Sequence, residues 1–114
     1  MRKLFGFFSS TAFFFLAISH VGYAQNCEDR IEKVEPEADR VFRYWSDNYW
    51  AFDKYQSIEL EDCSNNKIQG MIDFRRGGKL YSIECTVYLN IRGDIRKVCY
   101  FDPTTSQKDC YSGD

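Results

Sequence analysis

Five cysteines are the residues of this chain whose chemistry is easiest to interpret. They are Cys27, Cys63, Cys85, Cys99 and Cys110. No two of them form the closely spaced C-x-x-C pair that a cysteine-only zinc site needs. Small extracellular domains use such cysteines for disulfide bonds. We therefore expect two bridges with one thiol left over, and no metal or other cofactor.

Histidine is almost absent from the chain. The single histidine, His20, lies in an N-terminal segment that we expect to be removed. Without an imidazole, the remaining chain lacks a Ser-His-Asp or Cys-His arrangement and a His-ligated metal site. Carboxylates at Glu59, Glu61 and Asp62 are close in sequence, but no nucleophile or oxyanion donor is placed beside them. The sequence therefore favours a protein that is not an enzyme.

Residues 1–24 have the pattern of a secretory signal peptide. Arg2 and Lys3 precede an uncharged, Phe-rich stretch, and Gly22 and Ala24 occupy the small-residue positions of a cleavage site. The apolar stretch is shorter than the roughly 20 residues of a comfortable bilayer span. We expect cleavage after Ala24, a secreted or periplasmic product, and no stable membrane anchor.

Cleavage would leave one small disulfide-containing domain, residues 25–114. Loss of Arg2 and Lys3 changes the net charge from −2 to −4. An acidic domain is a poor nucleic-acid binder, because neutralising phosphates requires clustered positive charge. We expect no nucleic-acid partner.

Helical periodicity predicts one helix from Pro36 to about Phe52. Proline suits the first turn of a helix, and acidic residues around it complement the helix dipole. Six apolar residues then recur on one face: Ala38, Val41, Phe42, Trp45, Tyr49 and Phe52. The segment 46–48 is an alternative, earlier end. Residues 25–35 are strongly charged, and we expect them to pack loosely.

The rest of the mature chain alternates with period two and predicts four antiparallel strands. Their approximate bounds are 55–63, 67–76, 79–90 and 94–102. The turn Gly77-Gly78 pairs Phe74 with Tyr81, Ile72 with Ile83 and Ile68 with Val87. The turn 64–66 sets Leu60 opposite Gly70 and Ile58 opposite Ile72. The loop 91–93 sets Asn90 opposite Asp94.

These elements predict an α+β fold in which an N-terminal helix packs on a four-stranded antiparallel β-meander. In outline this two-layer arrangement resembles the cystatin-like and NTF2-like folds. The resemblance is one of architecture. Gln69-Gly70 does not match the Gln-x-Val-x-Gly hairpin through which cystatins inhibit proteases.

The predicted registers also suggest a disulfide pattern. The last hairpin places Cys85 opposite Cys99 as a non-hydrogen-bonded pair, close enough for a bridge. The helix runs antiparallel to the first strand, which favours Cys27 as the partner of Cys63. Cys110 is the candidate unpaired thiol, which could stay free, compete for Cys63, or link two chains in a dimer.

Two surfaces are candidates for interaction. Trp50 lies off the apolar helix face, although packing at the helix end would also explain it. The predicted outer face of the sheet carries Met71, Tyr88, Arg96 and Tyr100, with Tyr88 facing Arg96; an ordinary solvated face is the alternative. Basic residues cluster at 75–79 and again at 92–97. Either cluster could contact an anionic partner or simply confer solubility.

We therefore expect a small exported binding or inhibitory module that acts through protein–protein contacts. Its partner would be another exported or cell-envelope protein. The alternative is a small-ligand-binding or enzymatic domain with a pocket between helix and sheet, as in NTF2-like proteins. A sizeable internal cavity with convergent polar groups would favour that alternative.

Overall fold

The chain folds into one α-helix and an antiparallel sheet over the part that the structure describes. The structure is a computed structural model that describes the backbone of residues 11–112 and the side chains of residues 26–112. The elements are α1 Thr11–Tyr49, β1 Lys54–Cys63, β2 Lys67–Arg76, β3 Lys79–Leu89, β4 Ile95–Asp102 and β5 Gln107–Tyr111. Each strand pairs with the next, in the order β1-β2-β3-β4-β5. The α+β prediction is confirmed, and the sheet has five strands rather than four.

The helix begins well before the predicted start at Pro36. Val34 lies four residues before Ala38 and is buried, so the apolar stripe continues one turn toward the N-terminus. Pro36 is exposed inside the helix. It removes the hydrogen bond to the carbonyl of Glu32, which lies on an exposed residue where solvent can satisfy it. The predicted boundary, with a loosely packed segment before it, is therefore wrong.

At its other end the helix stops at Tyr49. The backbone N–H of Trp50 donates to the carbonyl of Ser46 at 3.2 Å, and the chain then leaves the helical path. Trp50 turns in against the core, whereas Tyr49 and Phe52 are 65% and 87% exposed. The predicted inward positions of Tyr49 and Phe52 are therefore wrong.

The predicted signal peptide lies partly within the described residues. Residues 11–24 belong to α1, and residues 1–10, like residues 113–114, lie outside the described residues. Cleavage after Ala24 stays a prediction. Over residues 11–112, no helix is long and apolar enough to cross a membrane.

The first two hairpins have the predicted registers. Leu60 faces Gly70 and Ile58 faces Ile72 across β1 and β2. Across β2 and β3 the pairs are Ile68–Val87, Ile72–Ile83 and Phe74–Tyr81. These strands have one consistently apolar face, and a slip of one residue would turn that face to solvent.

A β-bulge follows Leu60 in β1 and depends on a glycine in the neighbouring strand. A Cβ atom at Gly70 would lie 2.2 Å from the carbonyl oxygen of Glu59, so only glycine fits without a backbone shift. The backbone N–H of Leu60 donates to Oε2 of Glu35 at 2.8 Å. The helix therefore supplies the acceptor for a backbone group at the irregular part of the strand pair.

The register of the third hairpin changes by one residue after its loop. Asn90 N–H donates to the Asp94 carbonyl at 2.9 Å, and the next pair is Leu89–Ile95. A bulge then leaves Arg96 without an opposite residue, so that Tyr88 faces Lys97 and Cys85 faces Tyr100. The predicted pairs Cys85–Cys99 and Tyr88–Arg96 are therefore wrong.

The bulge reverses which side chains of β4 face the helix. Val98 is fully buried in the main core, and Tyr100 packs against that core. Phe101 and Tyr81, both predicted to point inward, are 43% and 42% exposed. The predicted core positions of Trp45 and Ile83 are confirmed.

Candidate functional site

The disulfide framework differs from the prediction at three of the five cysteines. Cys27 is joined to Cys63, with Cα atoms 5.8 Å apart, as the chain directions suggested. Cys99 is joined to Cys110 in β5, with Cα atoms 4.1 Å apart. The predicted Cys85–Cys99 bridge is wrong. Cys110 is not the unpaired thiol, and its bridge leaves no sulfhydryl there for a link between chains.

Cys85 is the free cysteine of the described chain, and it is buried. Its burial is the main cause that raises the pKa of the thiol from 9.0 to about 12. Reactive cysteines need a lowered pKa and access to solvent. Cys85 has neither property and therefore functions as a small apolar core residue.

Aromatic side chains from the helix end and the sheet meet in an open cleft that we call the aromatic cleft. It has a volume of about 810 Å³, and its aromatic lining residues are Trp45, Tyr49, Trp50, Phe52 and Tyr100. The ring centroids of Trp45, Trp50 and Tyr100 lie 5.2–5.5 Å from one another. Such distances are those of packed aromatic pairs, so the three rings form one continuous wall.

A fourth ring supports this wall from the neighbouring strand. Tyr111 of β5 stacks on Trp45 with ring centroids 5.6 Å apart, and it also lies 5.6 Å from Tyr49. The Cys99–Cys110 bridge fixes β5 beside β4, immediately before Tyr111. This bridge therefore helps to position the wall of the aromatic cleft.

Carboxylates outnumber cations at the aromatic cleft. Arg76 donates two hydrogen bonds to Asp53, at 2.8 and 2.9 Å, and lies 3.8 Å from Asp102. The hydrogen bonds to Asp53 raise the pKa of Arg76. Asp109 accepts a hydrogen bond from the Tyr100 hydroxyl at 3.1 Å. Asp53 and Asp102 thus lie beside the one guanidinium, and Asp109 adds a third carboxylate at Tyr100, which leaves the cleft with excess negative charge.

Burial, reinforced by Asp109, raises the pKa of Tyr100. The hydroxyl therefore stays protonated and remains a hydrogen-bond donor. The indole Nε1 of Trp50 is buried and has no hydrogen-bond partner among the described residues. An unpaired buried donor of this kind costs about 1–3 kcal/mol.

The five residues predicted as an interaction surface lie in three places. Trp50 and Tyr100 meet in the aromatic cleft, although Tyr100 was expected on the opposite face. Tyr88 and Arg96 lie together at the other end of the sheet. Met71 is half-buried on the outer face, opposite Glu59 and Glu84.

Sequence reasoning missed Asp53 and Asp109 in the lining of the cleft and Tyr111 packed against its wall. The sequence feature that could have revealed Asp109 and Tyr111 is the turn that begins at Asp102-Pro103, which starts a further hairpin. Extending a hairpin from the pair Asp102–Gln107 would have placed Cys99 opposite Cys110, as the structure does.

Within residues 26–112, no three His, Cys, Asp or Glu side chains come together as metal ligands. Comparisons with protein-family models, curated proteins and solved structures find no match to this chain.

Proposed function

We propose that this chain is a small exported binding module that holds a partner protein at the aromatic cleft. The observation that carries the proposal is the joint presence of an aromatic wall with exposed rings at its rim and excess carboxylate in one open cleft. Tyr and Trp are the residues that most often dominate the energy of protein interfaces. Phe52 and Tyr49, exposed at the rim, extend the apolar contact area.

The charge of the cleft specifies the chemistry of the partner. A Lys or Arg side chain placed against Trp50 or Tyr100 would gain cation–π attraction. Asp109 would then supply the carboxylate for an ion pair, because no Lys or Arg of the described chain lies within 4.0 Å of it. The partner is therefore a protein that presents a basic side chain from an exposed loop or terminus.

Export is part of the proposal. It is supported by the signal-peptide pattern of residues 1–24 and by two disulfide bonds, which persist in oxidising compartments. The product would be secreted or periplasmic, and its partner another exported or cell-envelope protein.

The cystatin-like or NTF2-like outline belongs to the same proposal, because one helix packs on an antiparallel meander. An NTF2-like ligand pocket or active site between helix and sheet is less well supported. That space is filled by apolar side chains, among them Phe42, Ile72 and Val87, all fully buried.

The proposal is tested by titrating the ¹⁵N-labelled protein with short acetylated peptides. The chain has two tryptophans, and both line the aromatic cleft, so the two indole N–H signals report on it directly. Gly-Lys-Gly and Gly-Arg-Gly peptides should shift these signals in a saturable manner. Gly-Gln-Gly and Gly-Glu-Gly peptides should not.

A matched pair of variants locates the contact. Asp109→Asn should weaken peptide binding several-fold, because the amide keeps an acceptor for Tyr100 but loses the charge. Asp62→Asn, an exposed carboxylate on β1, should have no effect. Equal shifts with all four peptides, or no shift with any, would refute the proposal.

A further inference from the structure

A second cleft lies at the opposite end of the sheet, and its charge is opposite to that of the aromatic cleft. We call it the basic cleft. It has a volume of about 970 Å³ and lies between the helix, the β1–β2 loop and the β3–β4 loop. The aromatic cleft lies beside the β2–β3 turn. Because successive turns of a meander alternate between its ends, the two clefts are separated by the length of the strands.

Among the described residues that line the basic cleft, four are cationic and none is a carboxylate. They are Arg30 and Lys33 from the helix and Arg92 and Arg96 from the third hairpin. Arg92 lies 4.0 Å from Asp94, and both side chains are exposed. Arg30, Lys33 and Arg96 have no carboxylate within 4.0 Å in the described part of the chain. This concentration of unpaired positive charge lies on a chain whose net charge is negative.

The positive surface continues from the cleft onto the outer face of the sheet. Arg96, which lines the cleft, also lies 5.7 Å from the ring centroid of Tyr88. The ammonium groups of Lys97 and Lys108 lie 5.0 and 5.1 Å from the same centroid. Lys108 also donates a hydrogen bond to the Tyr88 hydroxyl at 2.7 Å. Lys67 is the β2 neighbour of Tyr88, so four cations surround one phenol.

The pKa of Tyr88 responds to these cations. The hydrogen bond from Lys108 is the main cause that lowers it, and Lys67 and Lys97 act in the same direction. The outer face near Tyr88 is therefore a region of positive potential rather than a set of separately neutralised charges.

The remaining lining of the basic cleft consists largely of amides and a hydroxyl. The side chains of Asn65 and Asn66 are exposed and have no hydrogen-bond partner in the described chain, and Ser64 lies beside them. Amide groups can donate to and accept from sugar hydroxyls, whereas guanidinium groups match planar or tetrahedral oxyanions. A ligand that carries both hydroxyls and repeated acidic groups would therefore match the amides as well as the guanidinium groups of the cleft.

We propose that the basic cleft and the cations around Tyr88 form one binding path for an acidic polysaccharide, a glycan that bears sulfate or carboxylate groups. A path that continues from the cleft onto the sheet suits a chain with repeated charges better than a single small anion. Single-stranded nucleic acid requires free aromatic faces on which bases stack, and cations already cover the ring of Tyr88. A flat lipid surface would not reach the half-buried Arg30 between the helix and the β1–β2 loop.

The test is calorimetric titration of the full exported chain with a size-fractionated heparin hexasaccharide. Affinity should fall steeply between about 50 and about 200 mM salt, as expected when a polyanion releases counterions. Uncharged maltohexaose and inorganic sulfate should bind at least about tenfold more weakly. Equal or tighter binding of single-stranded DNA or of phosphatidylglycerol vesicles would overturn the assignment to a glycan.

Two double variants, each of which removes two positive charges, show whether the basic cleft binds the hexasaccharide. Arg92→Gln with Arg96→Gln should weaken hexasaccharide binding at least about tenfold. Arg75→Gln with Lys79→Gln removes the same charge from the hairpin at the other end of the sheet and should change it less than about twofold. All four residues are exposed, so neither variant removes core packing. Equal losses in the two variants would show that net charge alone attracts the glycan and would refute the site.

Discussion

Cys99 lies directly opposite Cys110 across β4 and β5, and a disulfide bond joins the two residues. Cys85, one strand away, faces Tyr100 and remains a thiol. The bulge at Arg96 determines this outcome, because a regular strand would pair Arg96 with Tyr88 and place Cys85 opposite Cys99.

The bridges can be checked by non-reducing peptide mapping. Fragments that contain Cys99 should be linked to those that contain Cys110, and Cys85 should be alkylated only after unfolding. Replacing both Cys99 and Cys110 with Ser should lower the free energy of unfolding by about 2–3 kcal/mol, the value expected for a loop of this length. A link from Cys85 to Cys99 would show that the β4 register is wrong.

Gly70→Ala should destabilise the sheet, because its Cβ would overlap the backbone of Glu59 and Leu60. We expect a loss of about 2–3 kcal/mol in urea unfolding, typical of overpacking. Gly77→Ala is the matched control. Its Cβ meets nothing within 4 Å, and only its φ of +58° opposes the substitution, at a cost of about 1 kcal/mol. If Gly70→Ala lowers the free energy of unfolding by no more than Gly77→Ala does, β1 and β2 do not approach so closely at Gly70.

Ser46→Ala should remove the side chain that satisfies a buried backbone group. Ser46 Oγ accepts the Tyr55 N–H at 2.9 Å in the core between helix and β1. Leaving that donor unpaired should cost about 1–3 kcal/mol of unfolding free energy. Asn48→Ala, an exposed change two residues away, should cost no more than about 0.5 kcal/mol. Equal effects of the two changes would contradict the buried contact.

Cys85→Ala should flatten the dependence of stability on alkaline pH. The pKa of the folded thiol, about 12, exceeds its ordinary value of 9.0, so the unfolded chain releases this proton first. The stability that depends on the neutral thiol is complete below pH 9.0 and is lost as the pH rises toward about 12. Between these values the wild type should lose up to about 1.4 kcal/mol per pH unit relative to the variant.

Urea unfolding of both proteins at several pH values, with intact bridges verified by peptide mapping, measures this difference. The raised pKa of Tyr100 acts in both proteins and cancels in the comparison, and that of Tyr55 cancels apart from the contribution of Cys85, the smallest of its causes. Parallel stability curves for the wild type and Cys85→Ala would mean that the thiol is not buried.

The registers of β1 to β3 could be predicted because their sequences have one apolar and one polar face. Ile68, Ile72 and Phe74 share one face of β2, and Met71 is the one apolar residue on the other, so only one register buries the apolar set. In β4 the apolar residues fall on both faces, with Val98 and Tyr100 on one and Cys99 and Phe101 on the other. Alternation therefore could not reveal the bulge at Arg96.

The remaining errors have local causes. Pro36 was interpreted as a helix start because proline favours that position, but the packing of Val34 outweighs the loss of one hydrogen bond. β5 is a polar edge strand held by backbone pairing and one disulfide, so its composition does not predict it. The aromatic cleft was anticipated only through Trp50, because Tyr111 depends on that strand and Tyr100 on the bulge.

Because the unpaired Cys85 is buried in the folded sheet, the order of folding and oxidation affects which bridges the chain forms. In the reduced, unfolded chain any of the five cysteines can be left over, and the other four can pair in three ways. Local proximity favours Cys85, Cys99 and Cys110 as competing partners, since they lie within one short stretch of chain. Correct oxidation therefore requires the sheet to assemble first and enclose Cys85. A chain oxidised before that point with Cys85 joined to Cys99 would recover by thiol–disulfide exchange: the free thiolate of Cys110 attacks the sulfur of Cys99, the Cys99–Cys110 bond forms, and Cys85 leaves as the thiol that the sheet then encloses.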